Sequence, residues 1–349
     1  MEKKQELNRM NASACLLVIL IHVLSLGITS ADPRSWQAAV LYFPWRLAAF
    51  VVPMFLYTGG VKLARQFWNK EVTARSYGRY FLGRVKKIYV PYVLWVVLYY
   101  AAFLKIGYVR GSVREFFTYL VVGNLSSPFY YVVIVMQFYL LMPLWLWMLR
   151  HIPAYVALGA GVLAAFCMQQ SAYLLSLLGV DFPYSDRIFL TYMLYWIAGL
   201  YVGKHYEAVA SAIRSRSGYL ACGGVILLCA GLGYVQYASG VYLFNLNDVK
   251  MVSDLLSILL LHGVCLELDR APAMLRRWLD RISDSSFFVY LSHCLFLTLA
   301  TACLQRLGVT RLSLLLTARF LTCYTVPFLL CRVYRRVAGR LGHRERLLG

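Results

Sequence analysis

"SACLLVILIHVLSLGI", residues Ser13–Ile28, is an almost unbroken apolar run with His22 near its middle. A helix rises about 1.5 Å per residue, so His22 falls roughly 15 Å from the start of this run, near mid-bilayer. An imidazole at that depth loses its water and needs either a partner or a task.

The character of this run recurs along the chain. Of 349 residues, 61% are hydrophobic and 14% charged, with a mean hydropathy of +0.63. A soluble protein keeps about a quarter of its residues charged, so the composition indicates a polytopic, all-α membrane bundle. Crossing a bilayer takes about 20 mostly apolar residues. Ten stretches qualify: 12–29, 38–61, 88–106, 129–149, 152–170, 187–203, 218–238, 251–269, 284–305 and 312–334. Tyr89, Tyr92, Trp95, Trp145 and Trp147 crowd span ends, as interfacial belts do. Segment 115–127 fits a surface helix or a re-entrant turn. Residues 1–31, with a basic start and an apolar run and then "TSADP", also resemble a cleaved signal peptide. The many later spans favour an uncleaved first helix.

The net charge of +20 lies in short segments between spans. No basic stripe interleaved with stacking aromatics and no nucleic-acid motif is present, so nucleic acid is not an expected partner. With the N-terminus inside and ten spans threaded, the inner segments hold 24 Lys and Arg and the outer ones six. That asymmetry predicts cytoplasmic N- and C-termini in a multi-pass cell-membrane protein. The expected organisation is one transmembrane domain over 1–349, with cytoplasmic basic tails at 1–11 and 335–349. The nine cysteines are scattered, without C-x-x-C pairs or zinc-type spacing. Neither a disulfide framework nor a metal site is expected.

Polar residues inside the spans are the candidates for function. A central charge costs roughly 2.5–3.5 kcal/mol on insertion scales, so such groups turn inward or pair. His293 in "VYLSHCLFL" and His262 in "ILLLHGVC" reach depths like that of His22. His262 fits a helix-bridging role. Arg46 is about 12 Å into the second span and faces inward; Arg319, two turns into the tenth, fits either snorkelling or an inward face. Asp254 lies near the outer end of the eighth span. A polar chamber at mid-membrane serves a solute transporter or a transferase joining a cytosolic donor to an external acceptor. Histidine suits the second task, because it takes a proton from a hydroxyl and returns it to a leaving thiolate.

Several strings resemble the membrane acyltransferase 3 family, in the family's order. "NASACLLVILIHV" is similar to its first helix, with His22 at the family histidine. "RLAAFVVPMFLYTGG" carries Arg46, and "RVKKIYVPYVLW" carries Arg84 and Lys87 before Pro91 and Tyr92. "YYVVIVMQFYLLMPLW" carries Gln137 and Tyr139; "YWIAGLYVGKHYE" and "FFVYLSHCLFL", with His293, follow. The resemblance implies a ten-helix O-acyltransferase that moves an acyl group, usually acetyl, from cytosolic acyl-coenzyme A to an extracytoplasmic glycan or similar acceptor. Membrane lipid, the glycan and acyl-coenzyme A are the implied partners; no cofactor is tightly bound. His22 is the implied catalytic base. Arg46, Arg84, Lys87 and Gln137 become donor-binding or oxyanion candidates, and Asn11, Tyr139 and His293 positioning candidates. Some relatives, including an intercellular-adhesin polysaccharide group, have been read as glycan modifiers or exporters. The sequence departs from the pattern at Asn11, where the family has arginine. Arg9 is two residues earlier, about 200° round the helix. Lys87 also lacks the bidentate fork of arginine. Direct transfer and an acyl-enzyme remain open, as do a glycan or solute transporter and a catalytically lapsed scaffold.

Overall fold

The computed structural model describes residues 5–215, 218–242, 245–340 and 348–349, and these are helical with no strand among them. Residues 1–4 and 341–347 of the expected basic tails lie outside the described residues. In chain order the helices are α1 (Gln5–Ser30), α2 (Trp36–Leu47), α3 (Val51–Phe67), α4 (Ala74–Arg84), α5 (Val90–Ile106), α6 (Val113–Val122), α7 (Tyr130–Leu140) and α8 (Met142–His151). They continue with α9 (Ala154–Leu177), α10 (Met193–Lys204), α11 (Tyr206–Arg214), α12 (Tyr219–Ser239), α13 (Leu246–Glu267), α14 (Ala273–Arg306) and α15 (Leu312–Arg340).

Each of the ten apolar stretches forms helix, but not each as one straight rod. Among the described residues eight spans are long and apolar enough to cross a membrane, and nine if the α6–α7 pair, bent by 54°, counts as one. The second stretch divides into α2 and α3, and prolines explain the break. Pro44 lies inside α2, and the turn after it closes through Ala48 N–H to Pro44 O (3.1 Å) and Ala49 N–H to Arg46 O (3.1 Å). Pro53 follows in the first turn of α3, where a missing N–H leaves no helical bond unmade. The fourth stretch breaks at Leu141, just before Pro143 near the start of α8. The sixth is short: α10 has 12 residues, preceded by a 3₁₀ turn at Phe189–Tyr192. Segment 115–127 contains most of α6, capped by Ser112 and ended by Gly123 in the left-handed region.

The chain forms two compact units, residues 1–58 with 205–331 and residues 59–204 with 332–349. In the first unit α1 packs against α14, α13 and α2, while α12 packs against α13 and α2. Its seam is legible as a helical stripe. Ala12, Cys15, Ile19 and Val23 of α1 meet Leu279, Ile282, Val289 and Leu297 of α14, with Cys323 of α15. Spacings of three and four in α1, and of three, seven and eight in α14, put each set on one helix face. In the second unit α10 packs against α9 and α8, and α4 and α6 against α7. There Gly60 faces α10 so closely that a Cβ would lie 2.5 Å from the Trp196 carbonyl, the small-residue approach that membrane helices use. All nine cysteines are free thiols, six of them buried.

Hydrogen bonds fix helix directions within the first unit. Cys15 Sγ lies 3.8 Å from the Ser286 carbonyl, and His22 faces His293; both pairs are 271 residues apart, so α1 and α14 run parallel and in register. Arg319 and Tyr324 of α15 bond the carbonyls of His22 and Leu16, so α15 runs antiparallel to α1. The N-terminal end of α1 and the C-terminal part of α15 in this unit therefore point the same way. Together with the Lys and Arg asymmetry, this predicts that reporters fused after residue 346 and within 239–250 report opposite sides of the membrane, the former cytoplasmic. The same side for both would refute the threading.

Candidate active site

His22 occupies the face of α1 that carries Cys15 and Ile19, seven and three residues earlier. His293 lies between Val289 and Leu297, four residues from each on the buried stripe of α14. Parallel packing in register then brings the two imidazoles together with ring centroids 5.2 Å apart. His293 is fully buried, whereas His22 is only half-buried. The Nδ1–H of His293 donates to the Val289 carbonyl at 3.0 Å. A carbonyl can only accept, so this bond fixes the tautomer and leaves Nε2 as a bare acceptor. The Cys294 thiol lies 3.4 Å from that Nε2.

The carbonyl of His22 is held from two sides. Arg319 Nη2 donates to it at 2.6 Å, and Ser25 Oγ at 2.8 Å. Arg319 Nη1 also donates to Thr301 Oγ1 at 3.1 Å. The guanidinium is buried and ties α15 to both α1 and α14, which settles the choice between snorkelling and an inward face. Sequence reading left Arg319 out of the site. Its signal was the cost of an arginine two turns inside a span. Cys294 was also missed, for adjacency to His293 reads as ordinary apolar filling.

The other candidates of this unit fall into place separately. Asn11 Oδ1 accepts from Thr58 Oγ1 at 3.2 Å. Arg9 is wholly buried and committed elsewhere: it pairs with Asp269 at 2.6 Å, and donates to the Cys265 carbonyl and to Gln5 Oε1. It does not stand in at position 11. Arg46 ends α2 at the break, and its Nη2 is buried without a partner among the described residues. His262 bridges helices as expected, between the hydroxyls of Tyr57 (3.0 Å) and Tyr206 (3.3 Å); Tyr206 also donates to the buried Glu6. Asp254 pairs with Lys250 one turn away.

The remaining candidates belong to the second unit. The Arg84 guanidinium lies over the rings of Tyr80 (4.8 Å) and Tyr139 (5.0 Å), a cation–π arrangement that orders it. Lys87 is exposed on a π-helical turn, Val85–Tyr89, that joins α4 to α5; such turns widen the helix and recur at functional sites. Gln137 spends both ends of its amide on backbone, donating to the Arg187 carbonyl at 2.8 Å and accepting from Phe189 N–H at 3.0 Å. It clamps the turn before α10. A cavity of about 370 Å³ opens beside the N-terminus of α4, lined by Thr73, Tyr77, Trp147, Arg150 and His151 among others.

Comparison with known proteins gives a consistent result. The acyltransferase domain family matches residues 5–332. A protein of Staphylococcus epidermidis, named a probable poly-beta-1,6-N-acetyl-D-glucosamine export protein, is 27% identical over 313 residues, covering 85% of this chain and 82% of that one. A protein of the same name from Staphylococcus aureus strain MSSA476 is 24% identical over 315 residues, covering 84% and 82%. No solved structure matches.

Proposed function

The chain belongs to the membrane acyltransferase 3 family and is an acyltransferase, and from that premise we propose that it moves an acyl group, acetyl first among candidates, from cytosolic acyl-coenzyme A to a hydroxyl of an extracytoplasmic glycan. The observation that carries this reading is the His22–His293 pair, a half-buried imidazole against a fully buried one on parallel helices. A base must meet its acceptor, and His22 is the less enclosed of the two imidazoles.

His22 takes the proton of the acceptor hydroxyl as its oxygen attacks the thioester carbonyl. The tetrahedral intermediate collapses, the C–S bond breaks, and the coenzyme thiolate leaves with the proton that His22 returns. His293, locked through Val289, orients the neighbouring ring. Arg319 fixes the backbone that carries the base. Arg46 is assigned to the developing oxyanion, because its buried Nη2 lacks another use. Arg84, Lys87 and the basic segment 62–87, with eight Lys and Arg against Glu71, are assigned to the phosphates of the donor. The family arginine replaced by Asn11 would have added one charge. Asn11→Arg is accordingly expected to lower the donor KM, without raising it for the acceptor. Unchanged kinetics in a stable variant would remove position 11 from donor binding.

A second reading draws on the names of the relatives, which describe export of a β-1,6-linked N-acetylglucosamine polymer. Inward-facing polar side chains such as His22, His293 and Arg319 would also suit translocation. Donor consumption separates the two. Purified protein given acetyl-coenzyme A and a β-1,6-linked N-acetylglucosamine polymer is expected to release coenzyme A thiol and to leave base-labile ester on the polymer. Polymer movement without thiol release would support export and overturn the transfer reading.

A further inference from the structure

The sequence offers no zinc-type cysteine spacing, but the fold assembles a donor set that spacing cannot show. A ring nitrogen of His22, one of His293 and the Cys294 thiol lie within 4.8 Å of one another. We propose that these three side chains form a binding site for a thiophilic transition-metal ion, Zn²⁺ foremost, whose occupancy switches the acyltransferase off.

Two features of the geometry and one of the donor chemistry point to a metal. In a tetrahedral site, zinc–nitrogen bonds of about 2.0–2.1 Å and zinc–sulfur bonds of about 2.3 Å set neighbouring N and S ligands about 3.5 Å apart. His293 Nε2 and Cys294 Sγ are already 3.4 Å apart. His293 donates its other ring N–H to the Val289 carbonyl, the outer bond that orients metal-binding histidines and makes them better donors. The set is also borderline-soft, two imidazoles and a thiol without a carboxylate, which favours zinc or copper over magnesium or calcium. His22 comes from another helix and supplies the third ligand after an approach of at most about 1.3 Å, from within 4.8 Å to the roughly 3.5 Å of a tetrahedral site. Three protein ligands leave a fourth position for water.

The charge balance decides how tightly such an ion is held. Arg319 donates to the His22 carbonyl, and its positive charge opposes a dication. Binding offsets part of that cost because the S–H bond breaks as the Zn–S bond forms and one proton leaves to solvent. The site then gains one net positive charge, not two. Coordination also takes the lone pair with which His22 would accept a hydroxyl proton. Only this inhibitory consequence rests on the acyl-transfer reading.

Cobalt(II) makes the site visible without donor or acceptor. The purified, metal-free chain in detergent is titrated with Co²⁺. The expected result is one Co²⁺ per chain, with intense tetrahedral d–d bands and a thiolate-to-cobalt charge-transfer band, all erased by Zn²⁺. Cys294→Ser is expected to remove the charge-transfer band and to weaken binding by more than about a hundredfold, since losing even an outer-shell partner costs about 10–100-fold. His293→Gln is expected to weaken it comparably. Absence of the bands, or a charge-transfer band that survives Cys294→Ser, would overturn the proposal; the second result would assign the ion to another of the nine cysteines. Should Cys294→Ser fail to fold, alkylation of the native chain by N-ethylmaleimide, read at the Cys294 peptide, replaces it. Zn²⁺ is expected to slow that modification at least about tenfold on the same affinity scale, and an unchanged rate would refute the site. Cobalt bands in a chain without transfer activity would leave the site standing and sink the acyl-transfer reading. Transfer activity in a chain without cobalt bands would do the reverse.

Discussion

His22→Gln is expected to fold, insert and bind donor as the wild type does, and to lose acyl transfer by about 10²–10⁴-fold, the usual cost of losing a general base. Glutamine keeps much of the volume and a hydrogen-bonding end, so packing against His293 changes little. It has no basic nitrogen, so the acceptor hydroxyl keeps its proton during attack. The contrast with a bridging histidine is large. Removing an interhelical hydrogen bond in a membrane costs about 0.6–2 kcal/mol of stability, which would lower the melting temperature and spare turnover of the folded protein. His22 resembles the former case, because among the described residues the hydrogen bonds to it are made to its carbonyl, not its ring. His262, with a tyrosine on each ring nitrogen, resembles the latter. Turnover and melting temperature measured on the same preparation distinguish the outcomes. A stable His22→Gln with wild-type turnover would remove the base from the mechanism.

Arg319→Met is expected to lower kcat by up to about a hundredfold while the donor KM stays near its wild-type value. The guanidinium touches no reacting atom; it positions the base through the backbone. It joins the His22 carbonyl at 2.6 Å to Thr301 at 3.1 Å, and a misplacement of about 1 Å at a reacting group can cost 10²-fold. Arg319→Lys is expected to restore part of kcat, since an ammonium on a long stem still donates to one of the two acceptors. Steady-state kinetics on purified variants separate this role from simple stabilisation. A loss of melting temperature with kcat per folded molecule intact would reduce Arg319 to a structural tie.

Much of the fold was legible because a membrane imposes a simple code. Every span must satisfy its own backbone, so long apolar runs announce helices, and all ten stretches are helical. The breaks were less legible. Pro44 and Pro53 sit nine residues apart inside one apolar run, and hydropathy averages over them. Nothing in hydropathy says that Ala48–Phe50 turns or that Leu141 divides α7 from α8.

The candidate site shows the same division. His22 stood out by its depth and by its place in a family-like string. Its pairing with His293 required knowing that α1 and α14 run parallel and in register, a tertiary fact written only faintly in two apolar stripes. Cys294 had no local signal, and Arg319 only the cost of an arginine inside a span. Arg9, about 200° round the helix from position 11, was a poor substitute for the missing arginine on helix geometry alone, and its pairing with Asp269 commits it elsewhere. Gln137 looked like a donor of hydrogen bonds to substrate and instead holds the backbone at Arg187 and Phe189.

The central claim is that an acyl group, not a whole glycan, crosses from one side of the membrane to the other. Sealed vesicles containing the purified chain, with glycan acceptor enclosed and acyl-labelled coenzyme A added outside to the cytoplasmic face, test it directly. The account predicts labelled ester on the enclosed glycan in equal amount to coenzyme A released outside, and neither in vesicles carrying His22→Gln. Glycan supplied outside and carried into the vesicles with no thioester consumed would contradict it.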